Sequence, residues 1–278
     1  MVNRVERAAA AVVDPAVFYL RYTVLLTVFF FMSILRNVQF VYNKIRLRVF
    51  SMTYFPNNSP RVIRDDVNKL AKIPQRLSCI VNLRSDDDEN GGVNGVIADI
   101  AELAAWCLSL GIPSLTIYEY NGSVKEYLPE LKRYVGKNLL TYFGNPPPNF
   151  AIRIPHLNVV VQHSEDVAID LEISLLSRVD GKPTIVELTK TISELSVNKE
   201  LSLQDITVDL IDEELTELVG PEPDLVVCFG PVLDLQDYPP WHIRLSELYW
   251  EPDNTSVNYA VFIRALQKFA HSKVNLGK

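Results

Sequence analysis

The stretch IADIAELAAWCLSLGIPSLTIYEY, residues 97–120, contains a helix, a turn and a strand in immediate succession. As far as Leu110 its apolar residues recur at spacings of three and four, which predicts a helix with one buried face. Gly111 is a residue type at which such helices commonly end. The uncharged run from Ser114 to Tyr118 then predicts a strand. A helix that leads at once into a strand is typical of an α/β domain.

The same alternation extends along the chain in both directions. Further strands are predicted at Leu77–Leu83, Ile169–Leu175, Asp224–Phe229 and Ile243–Tyr249. Further helices are predicted at Val124–Tyr142, Thr184–Leu195, Ile206–Val219 and Val257–Ala270. Alternating elements of this kind favour an α/β fold with a mainly parallel central sheet flanked by helices.

The N-terminal region is apolar enough to cross a membrane. Tyr22 to Leu35 contains no charged residue, and extension back to Ala16 gives 20 residues, about the length of a bilayer crossing. The flank that follows is basic, with Arg36, Lys44, Arg46 and Arg48. By the positive-inside rule, this predicts a single transmembrane helix with residues 51–278 in the cytosol. The alternative is an interfacial helix, because residues 40–50 remain apolar among these basic groups.

Charge is distributed unevenly between the two parts of the chain. The whole chain has a net charge of −7, and residues 1–50 hold seven basic and two acidic groups, so residues 51–278 carry −12. Such an acidic domain is a poor candidate for binding nucleic acid. It is also poorly suited to binding a diphosphate by itself, because that requires Arg and Lys.

Few residue patterns in the chain indicate chemistry. No phosphate-binding glycine loop and no nucleophile elbow is present. The acidic run 86–89 is flanked by glycines, which favours a solvated turn over a metal site. Cys79, Cys107 and Cys228 lie in apolar runs without metal-ligand spacing, so we expect buried, reduced thiols.

Three stretches carry a resemblance to a known family. They are residues 97–120, residues 224–232 (DLVVCFGPV) and residues 240–248 (PWHIRLSEL). In this order and spacing they resemble the Nogo-B receptor family, the non-catalytic subunits of eukaryotic dehydrodolichyl diphosphate synthase. The resemblance covers about residues 75–278 and implies a cis-prenyltransferase-like fold. It divides the chain into a membrane anchor with a basic flank at 1–50, a linker and leading helix at 51–75, and the cis-prenyltransferase-like domain at 76–278.

The resemblance also implies that this chain lacks the chemistry of its catalytic relatives. Those chains carry a DGNRR motif whose Asp binds Mg²⁺ and whose basic residues bind diphosphate. The matching stretch here is 82–86, in which Asn82 is neutral and Arg84 is the single basic residue. Their second motif, RxSGExRxSNF, aligns near residues 228–232, where no Arg, Ser or Glu remains. We therefore expect no catalytic residues in this chain and Mg²⁺ held by the partner subunit.

The C-terminal tail is the candidate substrate-contacting segment. In this family the chain ends in an RxG motif that reaches into the partner's active site and contacts the diphosphate. Here Asn275 stands in place of the Arg, Gly277 is present, and Lys278 adds a positive charge. The resemblance implies that the backbone N–H of Gly277 donates to the diphosphate. An ordinary frayed terminus is the alternative.

Taken as a member of this family, the chain is expected to be an accessory subunit in the endoplasmic reticulum membrane. It would support cis-condensation of isopentenyl diphosphate into the polyprenyl diphosphate used for dolichol synthesis and protein glycosylation. The expected partners are a catalytic subunit in a heterodimer, isoprenoid diphosphates at the shared site, and the membrane. We expect the dimer interface to use residues 243–270 and to expose apolar surface there. A self-sufficient prenyltransferase is disfavoured by Asn82, and a membrane receptor or tether for a protein or lipid partner is the remaining alternative.

Overall fold

The computed structural model describes residues 15–54, 59–68, 70–164 and 167–272. The chain divides into two compact units, residues 1–48 and 49–278. The first unit contains most of helix α1, Pro15–Thr53, and the second contains the globular α/β domain.

Helix α1 is much longer than the predicted membrane span. Its 39 residues continue through the basic flank. At 1.5 Å per residue they extend about 58 Å, against about 30 Å for the hydrocarbon core of a bilayer. The segment Val17–Thr53 is long and apolar enough to cross a membrane, and the most apolar part of it is fully exposed. Gly92–Leu110 meets the same length and composition criteria but is mostly buried, as expected for a core helix.

A seven-stranded sheet forms the centre of the second unit, in the order β4-β3-β5-β2-β1-β6-β7. Its strands are β1 Arg76–Val81, β2 Ser114–Glu119, β3 Phe150–Ile154, β4 Val159–Gln162, β5 Leu171–Leu176, β6 Leu225–Phe229 and β7 Glu247–Trp250. All neighbours are parallel except β3 and β4. The helices are α2 Pro60–Val67, α3 Gly92–Leu110, α4 Leu128–Phe143, α5 Lys182–Val197, α6 Val208–Val219 and α7 Tyr259–His271. The prediction of a mainly parallel sheet with flanking helices is therefore confirmed.

The closing helix α7 is a core element. Phe262, Ile263, Leu266 and most of its other apolar residues are buried. The ring of Trp106 on α3 lies 5.2 Å from the ring centroids of both Tyr259 and Phe262. Within the predicted interface region 243–270, this helix thus has its apolar face packed inside the domain, and the exposed apolar side chains are those of Leu245, Leu248 and Trp250.

Residues 49–54 also pack on α7. The guanidinium of Arg264 lies 4.4 Å from the ring centroid of Phe50, and the Asn258 side-chain amide donates to the Ser51 hydroxyl at 2.6 Å. The last turn of α1 therefore belongs to the globular unit.

Three element predictions differ from the structure. The antiparallel pair β3 and β4 was not predicted, because Pro155 interrupts a segment too short to show alternation. The predicted helix Val124–Tyr142 is a 3-10 turn, Ser123–Tyr127, followed by α4, because Pro129 favours a helix start there. The predicted strand Ile243–Tyr249 begins only at Glu247, after a 3-10 turn at Pro240–Ile243.

Candidate functional site

A cleft of about 610 Å³ lies at the carboxyl ends of β1 and β2. Ligands of open α/β sheets bind at this edge of the strands. Its described lining residues are Asn82, Leu83, Glu119, Tyr120, Asn121, Asp234, Gln236 and Asp237. Asn82, the residue at the predicted metal position, thus lies in the cleft, directly after β1.

The side chain of Asn82 is already engaged. Its carbonyl oxygen accepts a hydrogen bond from the Gln236 side-chain amide, and its Nδ2 donates to the Phe229 carbonyl at 3.4 Å. The hydroxyl of Tyr118 donates to the Gln236 backbone carbonyl and holds that loop in place. A Cβ at Gly230 would lie only 3.0 Å from Asn82 Nδ2, so glycine permits this close packing. The network ties the residue after β1 to the end of β6 and to the loop at Gln236.

The lining of the cleft is acidic. Its three carboxylates belong to Glu119, Asp234 and Asp237, and no Lys or Arg occurs among its described lining residues. Glu119 is buried and accepts the backbone N–H groups of Asn121 at 2.9 Å and Ser123 at 2.6 Å. Its carboxylate therefore stabilises the turn after β2. Asp237 pairs with Lys182 Nζ at 2.7 Å, and none of the described lining residues offers a positive charge to a diphosphate.

The guanidinium of Arg84 is paired with a carboxylate on α3. Its Nη2 lies 3.2 Å from an oxygen of Asp99 on α3, and its Nη1 donates to the Glu89 carbonyl at 3.1 Å. Burial raises the pKa of Asp99 to about 6, although Arg84 opposes the shift. The single cation of the predicted diphosphate motif is thus paired with a helix carboxylate.

A buried ionic cluster, missed by the sequence predictions, lies at the carboxyl end of β5. The fully buried Asp180 carboxylate lies 2.7 Å from Lys125 Nζ and 2.7 Å from His156 Nδ1. Lys125 also donates to the Ser177 hydroxyl at 2.9 Å, and Ser177 N–H donates to Asp180 at 2.7 Å. Burial lowers the pKa of Lys125, and Asp180 opposes this shift. The cluster fixes the turn after β2 against the turn after β5.

The three cysteines are not candidates for reactive or catalytic thiols. All three are free and buried, as predicted. Burial raises the pKa of Cys228 to about 12, and it also raises the pKa values of Cys79 and Cys107 above the usual range. Their thiols therefore stay protonated and unreactive.

The two remaining predictions concern metal binding by this chain and the C-terminal tail. Among the described residues, no group of three His, Cys, Asp or Glu side chains is placed to hold a metal ion. The predicted substrate-contacting residues Asn275, Gly277 and Lys278 lie outside the described residues.

The chain is similar to several known proteins, although no family model matches it. It is 46% identical to the dehydrodolichyl diphosphate synthase complex subunit NUS1 of Saccharomyces cerevisiae, over 94% of this chain and 74% of that protein. It is 33% identical to the subunit of the same name from Schizosaccharomyces pombe, over 82% of this chain and 86% of that one. Among solved structures, it matches a lavandulyl diphosphate synthase from Lavandula x intermedia with a TM-score of 0.51. That match has 17% identity and covers 74% of this chain and 98% of the other.

The structural match supports the cis-prenyltransferase-like fold. The sequence identity to the yeast subunit, 46%, is much higher than the 17% identity to that structure. The recognition of the family from residues 97–120, 224–232 and 240–248 is confirmed. On the identity and coverage of these two yeast relatives, the chain belongs to the family of NUS1 subunits of the dehydrodolichyl diphosphate synthase complex.

Proposed function

We propose that this chain is the non-catalytic accessory subunit of a dehydrodolichyl diphosphate synthase complex. The complex condenses isopentenyl diphosphate units in cis into a polyprenyl diphosphate for dolichol synthesis and protein glycosylation. The observation that carries the proposal is the cleft: its described lining has three carboxylates and no cation. Catalysis of prenyl transfer requires stabilisation of a diphosphate leaving group by cations, and this lining opposes it.

The described cleft residues also do not fit Mg²⁺. Asn82 is neutral and bonded to Gln236, Glu119 accepts two backbone N–H groups, and Asp237 lies 2.7 Å from Lys182 Nζ. We therefore assign Mg²⁺, together with the isoprenoid diphosphates at the shared site, to the catalytic subunit.

The purified full-length chain is expected to produce no polyprenyl diphosphate above background with isopentenyl diphosphate and an allylic primer. The Asn82→Asp variant should be equally inactive alone, because it restores one carboxylate but no cation and retains the Gln236 loop. The measurement is incorporation of labelled isopentenyl diphosphate into long-chain product.

The control is the same preparation mixed with a catalytic subunit, which should produce polyprenyl diphosphate at a rate above that of the catalytic subunit alone. Chain elongation by the isolated wild-type protein would overturn the proposal. If the mixture gains nothing from this chain, the receptor or tether function is favoured instead.

The sheet edge at β7 carries exposed apolar side chains. Strand β7 is the last strand of the sheet, and Leu245, Leu248 and Trp250 are exposed on or just before it. An exposed strand edge with large apolar side chains is a typical association surface. We propose that the catalytic subunit covers this edge.

Trp250→Asp is accordingly expected to weaken association with the catalytic subunit by about 100-fold, as for a central aromatic contact. Val160→Asp is the matched control, because Val160 is an exposed apolar residue on β4 at the opposite edge. Affinity measured by titration in detergent tests both variants. Equal affinities for wild type and Trp250→Asp would place the interface elsewhere.

We propose that α1 crosses the endoplasmic reticulum membrane once and leaves the globular unit in the cytosol, as the basic flank 36–48 indicates. The sequon at Asn121 reports on this orientation because Asn121 is exposed, whereas Asn254 is buried. We expect the peptide that contains Asn121, isolated from cells, to have the same mass before and after glycosidase treatment. A glycan at Asn121 would show that the globular unit lies on the lumenal side, opposite to this proposal.

The tail is proposed to reach the diphosphate site of the partner. The structure supports a fixed starting point for it: Ser272, which follows α7, accepts a hydrogen bond on its carbonyl from Lys72 Nζ at 2.7 Å. Lys72 is itself held over the ring of Phe269, 4.4 Å from its centroid. Asn275, Gly277 and Lys278 therefore follow an anchored residue.

A further inference from the structure

A second concave surface lies on the outer face of α4. It is a groove of about 620 Å³ between α4, the loop after it and His163 at the end of β4. It shares no lining residue with the cleft at the carboxyl ends of β1 and β2. No role in the proposed function uses it.

Three basic side chains line this groove: Lys132, Arg133 and Lys137. Lys132 and Arg133 are adjacent and Lys137 lies one turn further along α4, whose single acidic residue is Glu130. None of the three is within ion-pair distance of a described carboxylate, although the unit to which they belong is strongly acidic overall. Unpaired cations gathered in one place on an acidic domain indicate an anionic ligand.

The rest of the groove is apolar. Leu140 is exposed on the same face of α4, and Pro147 lies in the following loop. The His163 ring stacks on Phe150 at 5.0 Å between centroids. A Cβ at Gly136 would lie 3.1 Å from that ring, so the glycine lets the imidazole pack against the helix. The wall of the groove is thus held in place by packing.

We propose that this groove, named here the α4 groove, binds the headgroup of an anionic phospholipid. Its phosphate would lie among Lys132, Arg133 and Lys137, and its glycerol and upper acyl carbons against Leu140 and Pro147. Cations beside an apolar wall match an amphiphile, whereas a nucleic acid or a free phosphate has nothing to place on that wall. Helix α1 is long and apolar enough to cross a membrane, so lipid is a ligand that this chain meets. The proposal is independent of catalysis by the complex.

The test is amine footprinting of the full-length chain in nanodiscs. Discs of phosphatidylcholine alone are compared with discs that also contain phosphatidylglycerol, and lysine acetylation rates are read by mass spectrometry. Lys132 and Lys137 should react about tenfold more slowly in the anionic discs, since each basic side chain near an anionic surface adds about fivefold to affinity. Lys190 and Lys199 on the same molecule are internal controls and should react equally in both discs. Lys125, whose side chain is only 10% exposed, should remain slow to react in every variant that stays folded.

Two variants separate the two parts of the groove. Arg133→Glu and Leu140→Ser should each remove most of the protection at Lys132 and Lys137, the first by charge and the second by loss of the apolar wall. Equal reaction rates of these lysines in both kinds of disc would overturn the proposal. Full protection by inorganic phosphate or glycerol 3-phosphate in neutral discs would also overturn it, because the groove would then be a site for free anions.

Discussion

Deletion of Leu276, Gly277 and Lys278 is expected to lower polyprenyl diphosphate synthesis by the complex about 100-fold, which is typical for the loss of one transition-state donor. The reason is positional. A glycine lets the backbone approach a phosphate closely, and an oriented N–H is a good donor to an anion. Lys278 adds a positive charge beside this glycine. Steady-state rates at saturating isopentenyl diphosphate provide the measurement.

Matched variants at one position identify the donor. Gly277→Pro removes the N–H and should reproduce most of the deletion, whereas Gly277→Ala retains it and should lose much less. Asn275→Arg should leave the rate equal or higher. Subunit affinity should be unchanged in all of them, because Ser272 remains fixed by Lys72. A truncated complex that elongates chains at the normal rate would make the tail an ordinary terminus.

Lys125→Met is expected to be the most destabilising single change in the cluster at the end of β5. It leaves the Asp180 carboxylate, which is fully buried, without its ammonium partner. Breaking a buried pair in this way costs about 3–5 kcal/mol. His156 still contacts Asp180 at 2.7 Å, which favours the lower end. In a unit of this size the melting temperature should fall by roughly 10 °C.

The matched control for this prediction is Lys190→Met. Lys190 pairs with Glu187 at 2.9 Å, but both side chains are exposed, and solvent screening leaves such pairs with little effect on stability. Thermal unfolding of the two variants should therefore differ clearly. Adding Asp180→Asn to Lys125→Met should restore part of the loss, because it removes the unpaired charge. If both lysine variants melt alike, the cluster contributes no more than a surface pair.

Local patterns were sufficient to predict most of the fold. Leu171–Leu176 shows the predicted alternation of buried and partly exposed positions, and the strands before and after α3 were found from short apolar runs. The position of Asn82 directly after β1 agrees with the family resemblance, in which the matching motif follows the first core strand.

Contacts between distant residues could not be predicted in this way. Lys125, His156 and Asp180 are separated by 24 or more residues and meet only because β2 and β3 are both neighbours of β5 in the sheet. The sequence likewise gave no indication that Arg84 pairs with Asp99 on α3. Both arrangements depend on tertiary packing, which periodicity does not contain.

The packing of the last turn of α1 on α7 matters for anyone who wishes to prepare the protein without its membrane helix. A truncated protein that begins at Pro60 would lose Phe50 and Ser51 and leave Arg264 and Asn258 on α7 without these partners. It would also lose the Tyr54 hydroxyl, which lies 3.4 Å from the Gln267 side chain. The suitable starting point for a soluble protein is therefore Val49, where the second compact unit begins.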